Sequence, residues 1–190
     1  MLLFRTPIPA DWLPKILAHL PQVLVDHAHL ERKAATSALN LEKFRQLHSR
    51  VHELNAIAIE ELQHFELVLR LLQARGIPFD EPRPSRWIRG LMRGIRPGVQ
   101  GQVIDHLIVC ALIEGRSCEK FQVLAEALEP IDPPLAQFYA RLVESEGNHY
   151  ATYLIMARHI DLQETDRRLD WFLDLEAELT QQGHPDPILH

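Results

Sequence analysis

The sequence predicts an all-α protein built around four long helices, and three observations lead there. Apolar residues recur with a period near 3.6 along most of the chain. Strand signals are missing: there are no alternating β-branched runs and no Asn-Gly or Asp-Gly hairpin turns. Proline and glycine gather in a few clusters that cut the periodic stretches into segments of bundle length.

Taken in order, a short helix is expected near residues 9–19 and a long one from 22 to 46, opened by Pro21. The next spans 50–75 and stops at Arg75-Gly76-Ile77-Pro78, a glycine followed by a proline. A proline-rich connector with a short helical piece covers 78–97. Residues 99–128 form another long helix, closed by Glu129-Pro130-Ile131-Asp132-Pro133-Pro134, where three prolines force a break. The last two helices are 134–160 and 164–181, the latter capped by Asp161. Two helical hairpins joined by one long crossover is the connectivity of ferritin-like four-helix bundles, here with additional short N-terminal and C-terminal helices in a single domain over residues 1–190.

Composition narrows the class. The chain has 190 residues, 46% apolar and 24% charged, enough for one domain with a sizeable core. No apolar run approaches the roughly 20 residues that span a bilayer, and the N-terminus lacks the basic-then-apolar pattern of a signal peptide. Cys110 and Cys118 fall two turns apart on one helix and cannot reach each other, so reduced structural thiols in a cytoplasmic protein are expected. The net charge of -6 offers no global attraction to nucleic acid.

The strongest signal is a repeat. Each hairpin carries a lone glutamate on its first helix and Glu-x-x-His on its second: Glu31 with Glu61 and His64, then Glu114 with Glu146 and His149. Helical spacing places these carboxylates on apolar stripes: Glu31 with Leu24, Ala35 and Ala38; Glu61 with Leu54, Ile57, Phe65 and Val68; Glu114 with Leu107, Ala111 and Phe121; Glu146 with Tyr139, Leu142, Tyr150 and Tyr153. Four buried carboxylates need compensating positive charge, and no lysine or arginine shares those stripes. Two metal ions would supply it. Level agrees with burial: the midpoint between Glu114 and the Glu146/His149 pair falls near residue 131, inside the proline break, and that between Glu31 and Glu61/His64 falls near residue 47, at the first turn. Four carboxylates and two imidazoles form the di-iron or di-manganese set of such bundles. Glu60 is four residues before His64 and could present itself instead of Glu61; repetition of the spacing favours Glu61. His27 and Asp105 are candidates to orient ligands, and the remaining histidines belong to the surface or to the neighbourhood of the site.

Four segments carry a resemblance to a known family. Asp26-His27-Ala28-His29-Leu30-Glu31-Arg32-Lys33-Ala34-Ala35, Glu60-Glu61-Leu62-Gln63-His64-Phe65-Glu66, Ala111-Leu112-Ile113-Glu114-Gly115-Arg116-Ser117-Cys118-Glu119-Lys120-Phe121 and Ser145-Glu146-Gly147-Asn148-His149-Tyr150 resemble the tRNA hydroxylase family MiaE. The third is the most specific, and Gly147-Asn148, where Ala-Arg is expected, is a departure that spares both ligands. The resemblance implies a cytoplasmic non-haem di-iron monooxygenase with the same six residues as metal ligands and catalytic centre. It would use O2 and external electrons to hydroxylate the isopentenyl group of 2-methylthio-N6-isopentenyladenosine at tRNA position 37. With no flavin or iron–sulfur motif in the chain, a separate reductase is implied, and a monomer is expected. The competing reading is a rubrerythrin-type oxidase or peroxidase that does not act on RNA. It usually brings a Cys-x-x-Cys pair, which this sequence lacks.

Charge placement adds a second line. Arg70, Arg75, Arg83, Arg86, Arg89, Arg93 and Arg96 crowd one helix end and the crossover. Arginine suits phosphate, so Arg83, Arg86, Arg89, Arg93 and Arg96 are expected to grip the anticodon stem-loop, with Trp87 available to stack on a base.

Overall fold

The structure, a computed structural model, describes residues 4–183 and 186–190, with the backbone alone for residues 99 and 100. Every regular element among the described residues is helical: α1 (Trp12–Leu17), α2 (Leu20–Leu41), a 3-10 helix (Arg45–Arg50), α3 (Val51–Ala74), α4 (Arg86–Arg93), α5 (Val99–Leu128), α6 (Pro133–Ile160) and α7 (Leu162–Gln181). None of these helices is long and apolar enough to cross a membrane. The chain divides into two compact units, one holding Pro14–Arg86 with residues 186–189, the other residues 4–13, Trp87–Gly183 and His190.

In the first of these, α2 and α3 pack as a hairpin. Leu24, Ala28, Ala35 and Ala38 of α2 and Leu54, Ile57, Ala58 and Val68 of α3 are buried, and the small residues on α2 allow close helix approach. The stretch expected to continue α2 to residue 46 does not: the helix ends at Leu41, and Phe44 turns extended (φ -85°, ψ 120°). That break lets Phe44 and Leu47 fold inward, where both are buried. Apolar burial outweighs a few more helical hydrogen bonds that water could replace. At its other end α3 closes as expected: Gly76 adopts φ 64°, Ile77 N–H donates to Leu72 O (2.9 Å) and Gly76 N–H to Gln73 O (3.1 Å). This is a Schellman stop, which needs a residue without Cβ strain at that φ.

In the other unit, α5 and α6 form the second hairpin and α7 packs on both. Asp132 caps α6 by accepting from Leu135 N–H (3.2 Å), with Pro133 and Pro134 in the first turn. Asp161 caps α7 through Glu164 N–H (2.9 Å). Each cap satisfies a donor that the helix itself leaves open. Phe121, Leu124, Tyr139, Tyr153 and Phe172 fill the core, and α7 extends over 20 residues.

Two buried ion-pair clusters tie this unit together. Asp105 accepts from Arg168 Nε (2.9 Å) and from Arg96 Nη2 (2.8 Å). Arg116, almost fully buried in α5, makes a two-pronged bond to Glu176 of α7 (2.7 and 2.8 Å). Its other contacts are Glu119, the Thr6 carbonyl (both 2.7 Å) and the Phe4 ring (3.9 Å).

Candidate metal centre

Each hairpin buries one triad of potential metal ligands. In the α2–α3 hairpin these are Glu31, Glu61 and His64. Each offers one ligand atom, and these atoms lie within 4.8 Å of one another. His64 Nδ1 is 3.6 Å from Glu31 Oε2 and 3.8 Å from Glu61 Oε2. Glu61 and His64 are neighbours because three residues is slightly less than one turn. Glu61 is fully buried, whereas the adjacent Glu60 is only half-buried.

In the α5–α6 hairpin the triad is Glu114, Glu146 and His149, all buried, with ligand atoms again within 4.8 Å. Gly115, next to Glu114, lies against the Tyr150 and Phe4 rings, where a Cβ would stand 2.9 and 3.1 Å from ring carbons. Gly147, between Glu146 and His149, faces Cys118 Sγ with room for a Cβ at 3.7 Å, and Asn148 points to solvent. The Gly147-Asn148 departure therefore leaves the triad's packing intact.

Electrostatics mark the first triad as a place built for positive charge. Burial alone would raise the Glu31 carboxyl, but the charge of His27 and hydrogen bonds to His27, His64 and Glu61 hold it well below the usual carboxylate range. For His64, burial works against the charged form, yet hydrogen bonds to Glu31 and Glu61 push the imidazole up to about 10. The donor set of carboxylate oxygens and imidazole nitrogens fits iron or manganese. Burial also pushes the Cys110 thiol up to about 12, with the Glu114 carboxylate adding to the shift.

Other expectations fare differently. His27 is fully buried, and its Nε2 hydrogen-bonds Glu31 Oε1. Asp105 orients no ligand: Arg96 and Arg168 saturate it. Trp87 is not available to a base, because it is buried, donates to Glu176 Oε1 and Thr180 Oγ1 (3.2 Å each) and stacks on His190. Of the arginines, Arg96 is engaged by Asp105 and Glu164, and Arg83 pairs with Asp186 at 3.2 Å while remaining exposed. Arg86, Arg89 and Arg93 are exposed along α4. The Arg116–Glu176 pair is absent from the sequence reading. Its partners stand 60 residues apart, and no local pattern links them.

A family model described as tRNA-(MS[2]IO[6]A)-hydroxylase (MiaE) matches residues 1–190. A tRNA 2-(methylsulfanyl)-N(6)-isopentenyladenosine(37) hydroxylase of Pseudomonas putida is 37% identical over 186 residues, covering 97% of this chain and 89% of the relative. A hydroxylase of the same name from Salmonella typhimurium is 40% identical over 120 residues, covering 63% of this chain and 43% of that relative. Among solved structures, Protein 43 with aldehyde deformylating oxygenase activity from Synechococcus has a TM-score of 0.92 at 31% identity, covering 100% of this chain and 96% of that one. The likeness places the chain in the all-α, ferritin-like class expected from its sequence.

Proposed function

The chain belongs to the MiaE family of tRNA hydroxylases, and from that premise we propose that it hydroxylates the isopentenyl group of 2-methylthio-N6-isopentenyladenosine at tRNA position 37. Both triads, Glu31, Glu61 and His64 with Glu114, Glu146 and His149, serve as ligands to one pair of iron ions, and residues 1–190 work as a single catalytic domain. The observation that carries this reading is the presence of a buried glutamate and a buried Glu-x-x-His in each hairpin, with ligand atoms within 4.8 Å.

The iron pair supplies activation of O2 and transfer of one oxygen atom to a C–H bond. The chain's own work is to hold and shield. Four carboxylates balance the charge of two cations, and two imidazoles complete the donor set. Buried residues on the ligands' own helical stripes, such as Leu107, Ala111, Tyr139 and Tyr153, would keep water from the metal site. Overall, one C–H bond, O2, two electrons and two protons give one C–OH and one water. The electrons come from a separate reductase.

The substrate is the anticodon stem-loop of tRNA, a setting that makes the protein cytoplasmic, and the enzyme acts as a monomer. Arg86, Arg89 and Arg93 on α4 are the main phosphate contacts. Arg83 joins them by exchanging Asp186 for phosphate, and Arg96 supports the segment through its ion pairs. Replacing Arg86, Arg89 and Arg93 with alanine should weaken tRNA binding and lower its salt slope by up to about 3, near one unit per lost phosphate contact. Unchanged binding would remove the arginine assignment.

The deciding experiment is a single turnover. Pre-reduced, iron-loaded protein is mixed with isopentenylated tRNA and O2, and the nucleosides are examined by mass spectrometry for one added oxygen on the prenyl group. Product with wild type and none with Glu114→Ala supports the proposal. Iron binding and O2 consumption without product would favour a ferritin-like oxidase or peroxidase acting on something other than RNA.

A further inference from the structure

We infer that His27 is a positioning residue that selects which oxygen of Glu31 binds metal. This rests on the reading of Glu31 as a ligand. His27 and Glu31 stand four residues apart on α2, so their side chains share one face, and both are buried. His27 Nε2 contacts Glu31 Oε1. An ionised carboxylate can only accept, so Nε2 carries the hydrogen and donates it. The second oxygen, Oε2, faces His64 Nδ1 at 3.6 Å. One oxygen is thus held by His27 and the other is left facing His64.

A glutamate side chain has three rotatable bonds and two equivalent oxygens, and can chelate with both, bind with either or swing away. The His27 bond removes that freedom. With Oε1 engaged, Glu31 binds through Oε2 alone, on the side of His64, and its carboxylate plane is fixed before the metal arrives. A hydrogen bond to the far atom of a ligand typically changes metal affinity 10- to 100-fold when removed.

The test uses Co(II) as a probe of the full-length protein, with three variants. His27→Gln carries an amide N–H at about the reach of imidazole Nε2 and should keep the contact. His27→Leu keeps bulk without a donor, and the amide of His27→Asn stops short of Glu31. Two quantities are read: Co(II) affinity by chelator competition, and the visible absorption of bound Co(II), which reports coordination number and ligand arrangement. Thermal melts of the metal-free proteins show which variants fold. The expected result is a 10- to 100-fold weaker site with an altered spectrum in His27→Leu and His27→Asn, while His27→Gln stays within about threefold of wild type with its spectrum. If either His27→Leu or His27→Asn folds and matches wild type in both, the inference is overturned. It is equally overturned if His27→Gln fares as badly as His27→Leu, since bulk and not the donated hydrogen bond would then matter. Failure of the wild type to bind Co(II) would remove instead the reading of Glu31 as a ligand, and this inference with it.

Discussion

Replacing Glu176 with alanine tests the idea that Arg116, the arginine of the most family-specific segment, is an internal anchor rather than a substrate contact. Glu176 is fully buried and takes two charge-assisted bonds from Arg116, at 2.7 and 2.8 Å. It also accepts from Trp87 Nε1 at 3.2 Å and Thr180 Oγ1 at 2.6 Å. Removing it leaves the guanidinium, 1% exposed, with Glu119 and the Thr6 carbonyl as polar contacts. Breaking one side of a buried pair typically costs 3–5 kcal/mol, and the surviving Glu119 contact puts this case near the lower end, about 3 kcal/mol. For a domain of this size, about 2–4 °C per kcal/mol converts to a Tm lower by about 6–12 °C. The assay is urea and thermal unfolding of wild type, Glu176→Ala and the double variant Arg116→Met/Glu176→Leu. Because the penalty is mostly an uncompensated buried charge, the double variant should recover most of the loss. A loss under about 1 kcal/mol in the single variant, or a double variant no better than it, would refute the reasoning.

Other outcomes follow from the same structure. Gly115→Ala should destabilise by about 1–3 kcal/mol in urea unfolding, because its Cβ would meet the Tyr150 ring at 2.9 Å. Gly147→Ala, two residues before the second triad's imidazole, should instead be neutral or stabilising by up to about 1 kcal/mol, since its Cβ finds ordinary contact and alanine favours the helix. Burial would raise the Asp105 carboxyl, but bonds from Arg96 and Arg168 hold it below its ordinary value of 3.8. A carboxyl depressed in the folded state contributes stability above that ordinary value and loses it as pH falls through the lower folded one. The stability gap between wild type and Asp105→Asn should therefore stay constant down to about pH 5 and close at more acid pH; an equal gap at pH 3 and pH 7 would contradict this. Burial raises both the Cys110 and the Cys118 thiols above their ordinary range. Native protein at pH 8 should take up iodoacetamide at neither position, and at both after unfolding, as counted by mass spectrometry.

Much of this protein was legible in the sequence because it is written locally. The stop at Gly76, the cap at Asp161 and the proline break before α6 each depend on a few adjacent residues, and the structure places them where the pattern put them. The ligand candidates were legible because a carboxylate on an apolar helical stripe conflicts with its surroundings, and such a conflict, repeated in both hairpins, is rare by chance. Helix spacing also narrowed Glu60 against Glu61, and burial separates them. What only the tertiary structure decided is the partnering of groups distant in the chain. Arg96 and Trp87 looked like an RNA surface but are held by Asp105 and Glu164 and by Glu176 and Thr180, and Asp105 serves two arginines instead of a ligand. The end of α2 moved to Leu41 because Phe44 and Leu47 gain more from burial than from helix continuation. Local pattern records what a residue prefers near its neighbours; which distant charge or cavity it meets is set by packing, where burial energies of several kcal/mol override those preferences.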